Sequence, residues 1–443
     1  MKLPNDIEIL SKIEQDNDVI SIFKYKNTTA WLSIKNLLTE SMYHSDIRLG
    51  TGNTKDILSW KGFKTIFSSF GKYILYLKDK EKKSIFLGAS TGLFRFEDRI
   101  LDSYFPYYDL QIKDTIYMYN CGNLNDLNQF EDYVATNNIV IENYLVVMFK
   151  KLLAKVLYMR LANKKAEELI AFNTYLKSIS IEITDKALLS KYVEFIAGYT
   201  LYKLFFKFLN IEKAYVVSAP TKSDMVAALK SLDIEIIDVQ HGVIGKLHRG
   251  YNFNLEKSNT LPVVDRIDVY NQFWKDELIN AGYFTNNQIN IVGRLKYDIV
   301  KSEIEELNFN YIVFTGQGAF FEKIINFFRE SDALLKKKNI KMFYKTHPRE
   351  LASEIDELKE SIDILTTSEI YDGIYTTEEL IKNSLAHISV FSSCHFDAVY
   401  YNNKTYILDI MDDNIMRYYA TNSSGNFIMI NNIEEILKNE TFI

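Results

Sequence analysis

Residues 214–240 contain a strand, a helix and a second strand in close succession, and this unit constrains the fold more than any other stretch. "AYVVSAP" (214–220) is a run of apolar strand-forming residues, "TKSDMVAALKSL" (221–232) has helical spacing, and "IEIIDVQ" (234–240) is again apolar and β-branched. Two strands joined through one helix are parallel neighbours in a sheet. The pattern therefore predicts an α/β fold.

The same alternation runs through most of the chain. With 443 residues, the chain exceeds the size at which a single core keeps growing. We predict two Rossmann-like domains facing across a cleft, residues 1–250 and 251–443, with 246–264 as the linker and cleft rim. Further strands are predicted at 84–90, 266–271, 289–293, 311–318, 340–348, 386–393 and 404–409, and helices within 126–210 and at 272–282, 319–338, 376–384 and 394–402.

Charge and composition exclude several classes of protein. The net charge is −6, whereas a nucleic-acid-binding domain usually has a basic face, so no nucleic-acid partner is predicted. Two cysteines exclude a disulfide framework. The N-terminus lacks a signal-peptide pattern, and no apolar run approaches the ~18 residues that a spanning helix needs. A cytoplasmic protein is expected.

One basic stretch of the sequence would also be compatible with binding to a membrane surface. Residues 150–166, "KKLLAKVLYMRLANKKA", are basic and amphipathic. We interpret them as a packed surface helix, with peripheral contact at the cytoplasmic face of the inner membrane as the alternative.

The stretch "YKTHPRE" places alternating cations where a predicted strand ends. Lys345, His347 and Arg349 alternate, and Pro348 both fixes a turn and favours an extended conformation for the residue before it. A cationic cluster suits a phosphate leaving group, and an imidazolium can donate a proton as the bond breaks. The alternative is a surface turn with an isolated histidine.

The stretch "SVFSSCHFDA" places two hydroxyls between a strand and a helix. Ser392 and Ser393 precede a helix that starts near Cys394. Hydroxyls and main-chain N–H groups at such a point bind anions without a metal. The alternative is that Ser393 is simply the N-cap of the helix.

The stretch "FTGQGAFF" offers close access to the main chain. Gly316 and Gly318 allow a ligand to approach the backbone, and Gln317 can reach a phosphate or a hydroxyl; a tight turn would also use glycine. Thr376 and Glu379 begin the helix 376–384 with a capping-box pattern, and we include both among the donor-binding candidates.

The stretch "VQHGVIG" follows the second strand of the opening unit. Gln240, His241 and Gly242 lie beyond the carboxyl end of that strand, the edge at which open α/β sheets bind ligands. A neutral imidazole there can act as general base on a hydroxyl. The alternative is a histidine bonded to the backbone of a tight turn. Asp98 and Asp102 are the next candidates for the base.

In this order, the motifs resemble those of two-domain glycosyltransferases of the GT-B architecture. The His347-Pro348 and Ser392-Ser393 pairs resemble the HP and SS motifs of bacterial sialyltransferases. That resemblance implies that they hold the phosphate of a CMP donor and that His347 is the acid.

Two more stretches carry the resemblance. "VQHGVIG" resembles the HG turn of CDP-glycerol glycerophosphotransferases, which implies that His241 is the base. "INIVGRLKYD" resembles a VGxxxxD turn of both groups and of related capsule and O-antigen enzymes, and it adds Gly293, Arg294 and Asp298. The resemblance covers roughly residues 214–410.

The chain also departs from both groups. Sialyltransferases of this group pair an acidic residue with glycine in the first domain, and no such motif precedes residue 210. The glycerophosphotransferases have WHGTPLK where this chain has QHGVIGK. We therefore rank His241 first as base, ahead of the acids at 97–102.

The hypothesis is a metal-independent, cofactor-free inverting glycosyltransferase. The C-terminal domain would bind a CMP-linked donor, such as a nonulosonic or sialic-type acid. The N-terminal domain would bind a glycan or glycolipid acceptor of capsule, O-antigen or lipooligosaccharide, with Gln240, Gly242, Arg294 and Asp298 near it. The alternatives are a CDP-polyol phosphotransferase, a UDP-sugar transferase or 2-epimerase, and a non-catalytic binding module of glycan assembly.

Overall fold

Two parallel sheets, each in its own compact unit, carry the fold in the computed structural model. Among the described residues, the N-terminal unit runs from residue 6 to 294 and the C-terminal unit from 309 to 439. The α/β prediction with two Rossmann-like domains is confirmed at the level of these units. The structure describes residues 5–42, 83–89, 93–96, 99–102, 104, 115–120, 139–141, 144–294, 309–347, 350, 352–361, 365–366, 376–411, 415–422 and 425–439.

The sheet of the N-terminal unit has seven parallel strands in the order β11-β10-β9-β8-β3-β6-β7. The chain fills one side of β3 and then returns to fill the other side, which is the Rossmann order with one strand added. Two two-stranded sheets, β1-β2 and β4-β5, accompany it. The strands are β1 (Lys24–Tyr25), β2 (Thr28–Thr29), β3 (Lys83–Ala89), β4 (Leu93–Phe96), β5 (Arg99–Asp102), β6 (Thr115–Asn120), β7 (Ile139–Ile141), β8 (Ile211–Val217), β9 (Glu235–Val239), β10 (Arg266–Val269) and β11 (Ile289–Ile291).

The helices of this unit include a long antiparallel pair, α4 and α5. Thr184 caps α5 by accepting a hydrogen bond from the N–H of Ala187. No helix in the described part of the chain is long and apolar enough to cross a membrane. The helices are α1 (Asn5–Asp16), α2 (Val19–Ile22), α3 (Trp31–Met42), α4 (Tyr144–Ser178), α5 (Asp185–Lys207), α6 (Ser223–Lys230) and α7 (Gln272–Asn280).

The sheet of the C-terminal unit has six parallel strands in the Rossmann order, β14-β13-β12-β15-β16-β17. Every residue of β12 is buried, as expected for a strand covered by helices on both faces. The elements are β12 (Tyr311–Thr315), α8 (Phe321–Lys337), β13 (Lys341–Lys345), α9 (Ala352–Ser361), β14 (Leu365–Thr366), α10 (Thr377–Asn383), β15 (Ala386–Ser389), α11 (Cys394–Tyr400), β16 (Thr405–Leu408), α12 (Met416–Asn422), β17 (Phe427–Ile430) and α13 (Ile433–Asn439).

The predicted domain boundary after residue 250 is corrected by the strand pairing. β10 pairs with β9 and β11 pairs with β10, so residues 251–294 belong to the N-terminal unit. Tyr251 and Leu261 are buried in that unit, and the segment 246–264 is therefore not a linker. Apolar periodicity identifies strands but does not say which sheet they join, which is why the boundary was misplaced.

One further correction concerns the long helical region predicted within 126–210. Ile139–Ile141 is an edge strand paired with β6. Three residues are too short a window for periodicity to separate a strand from a helix.

Candidate functional site

Three of the predicted motifs meet at one edge of the C-terminal sheet. Because the chain switches direction between β12 and β15, the loops that follow these strands border the crevice at which Rossmann-type sheets bind ligands. The loop after β12 contains Gly316–Gly318, and the loop after β15 contains Ser392 and Ser393. β13 pairs with β12 on the other side, and it ends at Lys345, just before His347.

The turn that carries His347 is organised by Glu350, a residue that the sequence analysis did not single out. One oxygen of this carboxylate accepts the N–H of His347 at 2.8 Å, and the other accepts the hydroxyl of Tyr344. The N–H of Glu350 in turn donates to the carbonyl of His347 at 3.0 Å. The sequence feature that could have indicated this role is the spacing, because a carboxylate three residues after the histidine can accept its main-chain N–H.

The protonation of Glu350 reflects this partly buried position. Burial raises the pKa of its carboxyl group, while the hydrogen bonds from Tyr344, His347 and Gly318 oppose that rise. These three donors stabilise the carboxylate form against the effect of burial. Those donors fix the HP turn to the loop after β12.

The two glycines of the loop after β12 are required by the fold. A Cβ at Gly316 would lie 2.2 Å from Oε1 of Glu350 and 2.5 Å from the hydroxyl oxygen of Tyr344. Gly318 has a φ of +65°, a left-handed conformation that favours glycine. The amide of Gln317 donates to the carbonyl of Gly316 at 3.1 Å. Both roles predicted for these glycines, a tight turn and an accessible main chain, are therefore compatible.

The two serines after β15 differ in their surroundings. Ser392 is buried, and its hydroxyl accepts the N–H of Cys394 at 3.2 Å. Ser393 stands at the N-cap position of α11, makes no side-chain capping bond and is exposed. Ser393 is therefore not simply a side-chain N-cap, and its hydroxyl faces solvent.

Behind this edge, two buried histidines tie three strands together. Nε2 of His387 lies 2.9 Å from the hydroxyl of Thr315, and Nδ1 lies 2.7 Å from that of Thr405. Nδ1 of His395 lies 2.5 Å from the same Thr405 hydroxyl. Burial is the main cause that lowers the pKa of both histidines, that of His395 to about 3, so both rings are neutral. His387 lies in β15, and His395 lies in α11.

The remaining donor-side candidates are engaged elsewhere or lie outside the described residues. Thr376 accepts the N–H of Glu379 at 3.1 Å, and Glu379 accepts the N–H of Thr376 at 2.7 Å. The predicted capping box is thus confirmed, and a donor-binding role for these two residues stays a prediction. Pro348 and Arg349 lie outside the described residues.

A second edge, in the N-terminal unit, contains the residues predicted for the acceptor. Gln240 joins neighbouring strands, since its side chain donates to the carbonyl of Gly242 at 2.8 Å and accepts the N–H of Tyr270 at 2.9 Å. The guanidinium of Arg294 lies 5.1 Å from the ring centre of Tyr270. Gly293 has a φ of +82°, which accounts for glycine in the VGxxxxD turn.

The domain assignment of Arg294 is corrected by its position in the structure. Arg294 follows β11 and so lies in the N-terminal unit, on the same sheet edge as Gln240, although the sequence analysis placed it in the C-terminal domain. Asp298 lies outside the described residues.

His241 follows β9 and has a polar atom without a partner. Its Nδ1 is shielded from solvent and forms no hydrogen bond, although the side chain as a whole is partly exposed. Burial first, then the charges of His248 and Lys222, lower the pKa of His241 to about 3, so the ring is neutral near pH 7. A Cβ at Gly242 would meet no atom within 4 Å other than those of its chain neighbours, so there is open space at the residue that follows His241.

His248, a residue that was not among the sequence-based candidates, packs beside His241. The two ring centres lie 6.4 Å apart at 86°. Nδ1 of His248 accepts the N–H of Gly250 at 3.1 Å, which places its proton on Nε2. Burial and the charge of Lys35 lower the pKa of His248 to about 4. No periodicity links the two histidines, and the sequence therefore gave no signal for the pair.

A buried carboxyl group, that of Asp238, is connected to this histidine pair through Tyr251, whose ring packs against His248. Asp238 accepts the hydroxyl of Tyr251 at 2.6 Å and the N–H of Ala219 at 3.2 Å. Burial raises the pKa of Asp238 to about 7 despite these donors. Ser218 follows β8 in a left-handed conformation with a φ of 59°, and Lys222 donates to the carbonyl of Val217 at 2.5 Å. This turn brings a cation to the edge that contains His241.

Of the two acidic candidates for the base, the structure describes one. Asp102 ends β5 in a two-stranded sheet, is buried, and accepts the N–H of Tyr104 at 2.7 Å. Asp98 lies outside the described residues.

The chain matches no protein-family model and no curated protein. It is similar to solved structures at low identity. A UDP-GlcNAc 2-epimerase from Methanocaldococcus jannaschii is 13% identical (81% of this chain and 91% of that chain, TM-score 0.45). A putative UDP-N-acetylglucosamine 2-epimerase from Listeria monocytogenes is 11% identical (82% and 87%, TM-score 0.49). MurG from Acinetobacter baumannii is 9% identical (81% and 89%, TM-score 0.41).

Proposed function

We propose that the protein is a nucleotide-sugar-dependent transferase whose C-terminal unit binds the nucleotide phosphates and whose N-terminal unit supplies the base. The observation that carries this proposal is the strand order β13-β12-β15, which brings a glycine turn, an HP turn and a serine turn to one Rossmann switch point.

The phosphates are bound by protein groups in this proposal, without a metal. Lys345 and His347 supply positive charge where β13 ends, and Ser393 supplies an exposed hydroxyl after β15. His347, when protonated, donates a hydrogen bond to the leaving phosphate oxygen. The bond between the sugar's anomeric carbon and that oxygen breaks as charge accumulates on the phosphate.

His241 takes the proton of the attacking hydroxyl in this proposal. Its ring is neutral near pH 7 and its Nδ1 has no partner, so it can accept a hydrogen bond. A pKa of about 3 makes a weak base, but an anionic group that a substrate brings to the imidazole raises its pKa, because opposite charges stabilise the protonated form. The acceptor oxygen then forms the new bond on the opposite face of the sugar, and the configuration inverts.

Among donors, we place a UDP-linked sugar ahead of the CMP-linked sugar that the HP and SS resemblance implies. The sialyltransferase pattern needs an acidic base, and Asp102 is buried in its own turn. UDP-GlcNAc is the substrate named for several of the similar structures. CDP-polyol phosphate transfer remains the third possibility, because that class uses a histidine base in an HG turn.

The test is turnover in EDTA with three donor probes: UDP-N-acetylglucosamine, CMP-N-acetylneuraminic acid and CDP-glycerol. Products are identified by mass spectrometry with and without a pool of bacterial glycolipid acceptors. We expect acceptor-dependent release of UDP. Acceptor-free conversion of the UDP-sugar would replace the transferase with an epimerase, and a phosphodiester product would replace it with a polyol phosphotransferase. Nucleotide binding without turnover of any probe would favour the binding-module alternative.

A further inference from the structure

The first half of α4 exposes a continuous apolar stripe. Its members are spaced by three, four and three residues, so they share one face of the helix. Large exposed apolar side chains that are contiguous mark an interaction surface in a soluble protein. The stripe consists of Phe149 (51% exposed), Leu152 (54%), Val156 (44%) and Met159 (68%).

Basic side chains border this stripe on both sides. At 100° per residue, Lys151 and Lys155 lie along one border, and Arg160 and Lys164 lie along the other. All four are exposed. The stretch 149–166 contains six Lys or Arg residues and no Asp or Glu, in a chain whose net charge is −6.

The opposite face of α4 is packed against the unit. Ala154 is buried, and Lys150 forms an ion pair with Asp224 at the start of α6. A groove of about 630 Å³ between α4 and α5 begins at the border that contains Lys155 and is also lined by Lys186 and Tyr158. The helix is therefore anchored on one side while its apolar and cationic side faces outward.

We propose that this face of α4 binds the surface of an anionic lipid bilayer. The apolar stripe would enter the boundary between headgroups and acyl chains, and the flanking cations would contact lipid phosphates, as in helices that lie in the plane of a membrane. The charge argues for lipid over a second copy of the chain, because two such faces would bring the four exposed cations of one copy against the four of the other. It also explains why the apolar stripe is not buried within its own unit.

The test is flotation of the full-length protein with vesicles. We expect binding to phosphatidylcholine vesicles that contain about 30% phosphatidylglycerol, with little binding to phosphatidylcholine alone and loss of binding as salt rises. The double variant Lys151→Gln/Lys155→Gln should lower the partition coefficient roughly 30-fold. Leu152→Gln/Met159→Gln should lower it at least about 10-fold while the protein stays folded, since both side chains are already exposed.

Matched controls lie on other exposed surfaces. Lys337→Gln/Lys338→Gln removes two exposed charges at the end of α8, and Ile279→Gln removes an exposed apolar side chain of α7; both should bind as the wild type does. Equal binding by all variants, equal binding to neutral vesicles, or no binding at all would overturn the proposal. A dimer in solution that Leu152→Gln/Met159→Gln dissociates would assign the face to a second copy and would also overturn it.

Discussion

The carboxylate of Glu350 accepts the main-chain N–H of His347 at 2.8 Å, and through its other oxygen it also binds the hydroxyl of Tyr344 on β13. A Cβ on Gly316 would collide with both side chains. The HP turn and the glycine turn are therefore one packed unit, in which the position of His347 depends on a residue that touches no ligand in the proposed mechanism.

Replacing Glu350 by alanine should loosen the HP turn. Loss of this acceptor leaves the N–H of His347 and the hydroxyl of Tyr344 unsatisfied, at about 1–3 kcal/mol for each group that stays buried. We expect a lower free energy of unfolding in urea and weaker nucleotide binding. Glu350→Gln should recover part of both, because its amide keeps one acceptor. Glu357→Ala, on the exposed side of α9, is the control and should change neither. Unchanged nucleotide affinity in Glu350→Ala would contradict this role.

Substitution by alanine should lower the stability of the protein at one glycine and leave it unchanged at another. Gly316→Ala places a methyl group against Glu350 and Tyr344 and should destabilise the protein by about 1–3 kcal/mol. Gly242→Ala meets no atom within 4 Å and should leave the melting temperature unchanged. If the space beside His241 is for a ligand, Gly242→Ala should nevertheless raise KM or lower kcat. Full activity in Gly242→Ala would show that this space is not used.

The buried pair of Lys35 and Glu14 should matter for stability. Their side-chain atoms are 2.7 Å apart and nearly inaccessible, and Glu14 also accepts the indole N–H of Trp31 at 2.8 Å. Lys35→Met leaves a buried carboxylate without its counter-ion, which typically costs about 3–5 kcal/mol. Lys336→Met, which removes an exposed partner of Asp332, should cost less than about 1 kcal/mol. Chemical denaturation of both variants compares the two directly.

Mild acid should destabilise the protein. His241, His248, His387 and His395 all have pKa values lowered by burial, so below about pH 6.5 the unfolded chain binds protons that the folded chain does not. The sign is therefore loss of stability as pH falls, by about 1.4 kcal/mol per histidine at pH 5.5. Asp238, with a raised pKa of about 7, acts in the opposite direction over this range.

From pH 7.5 to 5.5, the free energy of unfolding should fall by a net amount on the order of 3 kcal/mol. Urea denaturation at the two pH values measures it. A free energy of unfolding that stays constant or rises on acidification would contradict the assignment of four histidines that are neutral in the folded protein.

His241→Asn should separate chemistry from stability. The variant removes a buried nitrogen that has no partner, so the melting temperature should hold or rise. Turnover should fall about 10²- to 10⁴-fold, as expected for loss of a general base. Nucleotide binding should persist, because the residues proposed to bind the phosphates belong to the C-terminal unit. Wild-type turnover in His241→Asn would reject its role as base.

Features of the fold that depend on neighbouring residues could be predicted from the sequence, whereas features that depend on residues far apart in the chain could not. A strand such as Tyr311–Thr315 was predictable because an apolar, β-branched run is a local signal. The pairing of Ile289–Ile291 with the N-terminal sheet was not, since sheet membership is decided by long-range packing. Sheet order, and with it the switch point between β12 and β15, became evident only in three dimensions.

The candidate site shows the same division. The HP, SS and HG turns were visible as motifs because each is local in sequence. Glu350 and His248 were not, because their importance comes from the burial and partners that folding supplies. For Ser392 and Ser393, the sequence could not tell which hydroxyl is bonded in the turn; the structure assigns the bonded one to Ser392.

The central claim is that the edge formed by β12, β13 and β15 binds a nucleotide. Thermal stabilisation by UDP, CMP, CDP and GDP, measured in EDTA on the wild type and on His347→Ala, tests it most directly. We predict a shift with UDP that exceeds those with the other three and that His347→Ala abolishes, with an unchanged melting temperature in the absence of nucleotide. A larger shift with CMP or CDP would change the donor, while no shift with any nucleotide, or an equal shift in His347→Ala, would contradict the account.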